Sequence, residues 1–134
     1  MNTYPTINLK SISTDVNSNG IYLAQLSCVK KGKNEKNLPF YYENIGCNLI
    51  EFVQIDREYS LVVDEEGLLK SGNPAWEITL KKSLKPVHVV GRFILVKDIE
   101  TDDGMISVGF TDENEAMQHY SKLIDSIQLI GFVR

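Results

Sequence analysis

The stretch from Asn48 to Val63 limits the possible folds more than any other part of the chain. Residues 48–56 (NLIEFVQID) place Ile50, Phe52 and Gln54 on one face of an extended segment and Leu49, Val53 and Ile55 on the other. Such a run of β-branched and aromatic side chains suits a strand. A second strand, Leu61-Val62-Val63, follows after a connection short enough for a hairpin. Two strands so joined are antiparallel, and the rest of the chain has to complete a sheet around them.

The flanking sequence supplies further strands. Ile7, Leu9 and Ile12 alternate with polar residues, residues 15–20 (DVNSNG) carry turn chemistry, and Ile21, Leu23, Leu26 and Cys28 alternate again. Asn19-Gly20 between two apolar runs predicts an N-terminal hairpin within residues 1–30. Residues 39–45 suit a short helix, with Pro39 at its first position and Gly46 as its left-handed stop. Asn73-Pro74 reads as a cap and first position for one helical turn over residues 75–79 (AWEIT). Residues 87–99 read as one long strand bent at Gly91, and Asp102-Asp103-Gly104 turns it back into alternating Ile106, Val108 and Phe110. Asp112 with Glu115 resembles a capping box, opening an amphipathic helix over residues 112–128 through Met117, Tyr120, Leu123 or Ile124, and Ile127. Residues 129–133 (LIGFV) form a terminal strand or apolar tail. The expected fold is α+β in one domain, residues 1–134: a mainly antiparallel, bent sheet of about five to seven strands with the C-terminal helix packed on it.

Composition excludes several function classes. With 134 residues, 43% hydrophobic and 24% charged, the chain has ordinary globular usage. A net charge of −4 argues against a dedicated nucleic-acid binder. The lysine-rich residues 30–36 (KKGKNEK) and 81–85 read as solvated connections. No apolar run approaches the roughly 18–20 residues that span a bilayer, and Met1 to Pro5 lacks the basic and apolar regions of a secretory signal. A cytoplasmic location is therefore expected, with Cys28 and Cys47 as reduced thiols.

No catalytic motif stands out. Asp98, Glu100, Asp102 and Asp103 fail as a calcium loop: counting from Asp98, position six is Asp103 where glycine is needed, and position twelve is Gly109 where a bidentate Glu is needed. They read as a charged hairpin tip, and no metal or cofactor is expected. Asp64-Glu65-Glu66-Gly67 reads as an acidic turn in which Gly67 supplies an unusual backbone angle, because consecutive carboxylates on an extended chain point apart. Neither a nucleophile elbow nor a phosphate-binding glycine motif is present, and His88 and His119 have no sequence-visible partner. Trp76, the single tryptophan, is either core or an interface anchor, and Tyr41 and Tyr42 pose the same choice.

One pattern resembles a known family. Leu49-Ile50-Glu51-Phe52-Val53, Val63-Asp64-Glu65-Glu66-Gly67-Leu68-Leu69, Asn73-Pro74 and Val90-Gly91 occur in the order shown by an uncharacterised family, a domain of unknown function, of small phage, plasmid and mobile-element proteins. The resemblance covers residues 38–97 and implies a mobile-element accessory protein with no known reaction. The function expected from these observations is non-enzymatic binding of a host protein or small ligand through Glu65, Glu66, Asn73, Trp76 and Arg92. The alternative is a hydrolase or nucleotide-processing enzyme that uses Glu65 or Glu66 with His88 or Arg92, which requires those side chains to converge.

Overall fold

A computed structural model of the chain describes residues 2–11 and 22–134. The expected turn at residues 15–20, with Ile12 and Ile21 beside it, lies outside the described residues. The strands flanking it pair as expected. β1 (Thr3–Ser11) and β2 (Tyr22–Lys30) run antiparallel in unbroken register from Thr3↔Lys30 to Ser11↔Tyr22.

The helix α1 (Asn37–Ile45) starts two residues before Pro39, which occupies its first turn, where no backbone N–H is required. Gly46 ends it at φ 79°, donating to the Tyr42 carbonyl at 2.8 Å. β3 (Ile50–Gln54) and β4 (Tyr59–Asp64) form the central hairpin. All six residues of β4 are buried, because this strand is covered on both faces.

Four expectations need correction. Residues 75–79 are not a helical turn but part of β5 (Pro74–Leu80), in which Trp76, Ile78 and Leu80 are buried at every second position. The Asn73 side chain donates to the Gly67 carbonyl at 3.0 Å instead of capping a helix, and a proline at the first residue of a strand costs no ladder bond. The long strand over residues 87–99 is two strands, β6 (Val87–Val90) and β7 (Phe93–Thr101), which belong to different sheets. Gly91 divides them at φ 85°, a left-handed conformation that other residues rarely adopt. Beyond β8 (Gly104–Val108), the helix α2 (Glu113–Leu123) starts at the expected Asp112 cap, whose carboxylate accepts from the Glu115 amide at 2.8 Å. It stops at Leu123, and Ile127 lies instead in β9 (Ile124–Phe132), paired with Ile78 of β5. Finally, the sheet is not single. The described residues form nine strands in two antiparallel sheets, one six-stranded in the order β2-β1-β7-β4-β3 with β8 beside the outer half of β7, the other in the order β6-β5-β9.

Alternation along β7 shows how the layers stack. Phe93 and Leu95 join Ile7, Leu61 and Val63 against Trp76, Ile78, Leu80 and Val89 of the smaller sheet and Ala116 and Leu123 of α2. Ile94 and Val96 face the other way, joining Tyr4 and Val62 against Phe40, Tyr41 and Ile45 of α1. The fold is thus mainly sheet with helix, in three layers: α1, the six-stranded sheet, and the three-stranded sheet with α2. No described helix is long and apolar enough to cross a membrane.

Candidate functional site

The acidic turn is held by its own side chains. Asp64 accepts from the Glu66 amide at 2.9 Å with one oxygen and pairs with the Lys70 ammonium at 2.5 Å with the other. That hydrogen bond is the main reason the Lys70 ammonium is held above its ordinary value. Gly67 does not serve the turn through a positive φ, as the sequence suggested. A Cβ there would sit 3.1 Å from the Val90 carbonyl oxygen, a contact tight enough that the β6 backbone would have to give way to a larger residue. Glu65 and Glu66 are exposed, followed by Leu68 and Leu69 at 74% and 80% exposure.

The other expected residues lie elsewhere. Trp76 is completely buried, with its indole N–H donating to the Gly91 carbonyl at 3.1 Å, so it packs the core and presents no side-chain surface. Arg92 is exposed and held at two points, by the Asn8 side chain and, at 2.7 Å, by the Asn44 carbonyl. Asn73, Trp76 and Arg92 border one cavity of about 180 Å³. Glu65 and His88 border a different cleft, of about 250 Å³, together with Glu51. His88 is also 3.1 Å from Glu77 across the β5–β6 pair. Glu66 borders neither space. Glu65 and His88 thus share one cleft, while Arg92 lies at the other cavity and Glu66 at neither. His119 is pinned by the Tyr59 hydroxyl at 2.5 Å, and Cys28 and Cys47 are free thiols.

A groove of about 450 Å³ on the α1 side of the six-stranded sheet was not singled out by the sequence. It is walled by Leu38 and Tyr41 of α1, Phe52 of β3, and Met105, Ile106 and Ser107 of β8. Leu38, Phe52, Met105 and Ile106 are 51%, 47%, 58% and 47% exposed, an apolar concentration that needs a reason on a folded surface. The Tyr41 ring stands edge-on to Phe52, with centroids 6.1 Å apart. Its hydroxyl is buried beside that of Tyr4, with no well-formed hydrogen bond among the described residues. Burial, and then the neighbouring Tyr4 and Asp98, push this phenol well above its ordinary value. Asp98 is not part of a hairpin tip. It lies in β7 and accepts from Ser60 at 2.6 Å and from Ser107 at 2.8 Å. The available signal was Ser107, a polar residue between Ile106 and Val108 that the sequence pattern did not single out.

The motif order that prompted a family resemblance now has a structural counterpart in α1, the β3–β4 hairpin, the acidic turn and the β6–β7 junction. A family described as a domain of unknown function, DUF3846, matches residues 19–125. The chain belongs to that family. The DUF3846 match extends well beyond residues 38–97 on both sides, taking in β2, the β7–β8 hairpin and α2. It therefore includes every wall of the groove and both cavities except for their β1 residues. No curated protein and no solved structure matches the chain.

Proposed function

We propose that this DUF3846 protein is a small non-enzymatic accessory protein of phage, plasmid or other mobile-element origin, acting in the cytoplasm by binding, and that the groove between α1, β3 and β8 is its binding surface. The observation that carries this reading is the meeting of four half-exposed apolar side chains, Leu38, Phe52, Met105 and Ile106, around one concavity. Its volume lies in the range of small-molecule sites, and its walls offer contact area with a few polar groups, as such sites do. The occupant it suits best is a small ligand.

The test is a ligand-observed NMR screen of small metabolites against wild type and a Phe52→Ala/Met105→Ala variant. Hits that bind wild type and vanish in a variant with an unchanged melting temperature are the expected result. Hits that persist in the variant, or none at all, would sink the reading.

A second reading rests on Glu65 and His88 bordering the same cleft, which suits an acid–base pair in a hydrolase or nucleotide-processing enzyme. A host-protein contact would instead use exposed Glu65 and Glu66 with Leu68 and Leu69.

A further inference from the structure

Asn73-Pro74 and Gly91, parts of the motif order that the groove leaves unused, meet beside a second space. β1 pairs with β7 only as far as Ile7↔Phe93, at the first residue of β7, and then runs on to Ser11 with no described strand on that side. The gap is bordered by Asn8 and Leu9 of β1, by Asn73-Pro74 at the start of β5, and by Arg92. Its floor is core, formed by buried Ile7, Ile45 and Trp76. Independently of the groove, we infer that this space of about 180 Å³ is a second binding site, for a small carboxylate on a compact apolar body, with the Arg92 guanidinium as receptor.

The backbone that carries Arg92 is fixed from several sides. Gly91 donates to the Pro74 carbonyl at 2.8 Å and accepts from the Trp76 indole at 3.1 Å. The Asn73 side chain lies against it, 3.4 Å from where a Cβ would stand. The guanidinium is then held in place, with Nε–H donating to the Asn8 side-chain oxygen and Nη1 to the Asn44 carbonyl at 2.7 Å. A guanidinium has five N–H donors, so these two bonds leave three for a ligand. None of the ion pairs among the described residues involves Arg92. A positioned cation with donors to spare thus stands at the edge of the space without a counter-charge.

Charge selects the ligand class. Among the described residues that border the space, Arg92 is the only charged one. A cationic ligand would be repelled by it, and a neutral one would leave its charge unmatched. A carboxylate fits the planar fork with two parallel hydrogen bonds. A phosphate dianion would bring a second negative charge to a site with one cation, in a chain whose net charge is already −4. Size and lining select the rest of the molecule. A cavity of about 150 Å³ accommodates a benzene ring, and half-buried Leu9 and Pro74 offer apolar contact to a body of that size.

The experiment titrates benzoate, benzyl alcohol, benzylammonium and phenyl phosphate into the ¹⁵N-labelled full chain and follows the backbone amides and the Arg92 Nε–H. Benzoate is expected to bind most tightly, moving the amides of Leu9, Asn73 and Gly91 together with the Arg92 Nε–H. Arg92→Met should weaken benzoate roughly tenfold or more, the scale of a lost hydrogen bond to a charged group, and leave benzyl alcohol binding unchanged. Arg92→Lys keeps the charge without the fork and should fall between wild type and Arg92→Met. If Arg92→Met does not fold, Leu9→Trp takes its place; it fills the space while sparing Arg92 and is expected to abolish the benzoate shifts. Benzyl alcohol or benzylammonium binding as tightly as benzoate would overturn the inference, and so would tighter binding of phenyl phosphate. Shifts confined to Phe52 and Met105 would place benzoate in the groove and overturn the second site while the groove reading stands. No shift at Leu9, Asn73, Gly91 or Arg92 with any probe would overturn it as well.

Discussion

The two faces of the six-stranded sheet are covered very differently. One face meets a second sheet and the eleven-residue helix α2, and the side chains between them, Trp76, Ile78, Phe93, Leu95 and Phe110 among them, are buried. The other face meets the nine-residue helix α1. A helix of that length spans about 13 Å, while β7, also nine residues, runs for about 30 Å. α1 covers Ile94 and Val96, and the strand then continues to Asp98 and its two serines beside half-exposed Phe52 and Met105. The fully covered face is spent on stability. The half-covered face leaves apolar surface open to a ligand, which is why the binding proposal falls there.

The largest expected effect tests the covered face. Trp76→Ala removes the largest of the fully buried side chains and the hydrogen bond to Gly91. Urea unfolding should show a loss of about 3–5 kcal/mol; a loss below about 1 kcal/mol would mean that this core is not the stabilising one. A smaller effect is expected on the α1 side from Gly109→Ala. The added Cβ would lie 2.7 Å from Tyr4 Cζ and 2.9 Å from the Thr3 carbonyl oxygen, too close for either to stay in place. The same measurement should show about 1–3 kcal/mol, and no loss would show that the Tyr4 side yields, making the two faces more unequal still.

The smallest effect at neutral pH compares one phenol from each side. Burial raises Tyr120, on α2, to about 12, while Tyr41 on α1 is also raised by burial. Both phenols ionise more readily in the unfolded chain. Their stabilising contribution is therefore complete below the unfolded value near 10 and is lost as pH rises through the folded value. Tyr120→Phe should leave stability at pH 7 within about 1 kcal/mol. It should also reduce the fall in melting temperature between pH 9 and pH 11.5, a difference that thermal scans would detect. An unchanged alkaline fall would mean that Tyr120 is not protected by burial.

Local chemistry made much of the fold legible. Gly46 ended α1, Asp112 with Glu115 opened α2, β-branched and aromatic residues marked β3 and β4, and alternation after a tight turn marked β8, because each signal acts within a few residues. It misled where a local signal had a competing long-range partner. Asn73-Pro74 is good cap chemistry, but Trp76, Ile78 and Leu80 are drawn into a strand by β6 and β9 on either side. α2 ends without a glycine or proline, because the free edge of β5 claims residues from Ile124 onward. The candidate site was less legible. Asn73, Trp76 and Arg92 do border one space, but Trp76 was offered as a possible anchor and is core, and Glu65 and Glu66 stand apart from it.

By itself, then, the sequence determined an antiparallel, sheet-rich α+β chain, the glycine stop of α1, the Asp112 cap of α2, and its family, because those rest on periodicity, backbone preference and motif order. Tertiary structure alone decided that Gly91 sends its two flanking strands into different sheets. It also decided that Tyr41, Phe52, Asp98 and Met105, distant along the chain, would meet at the uncovered end of one sheet face. The physical reason is that coverage depends on how far one element reaches over another, and no local pattern encodes the length of a helix relative to the sheet it crosses.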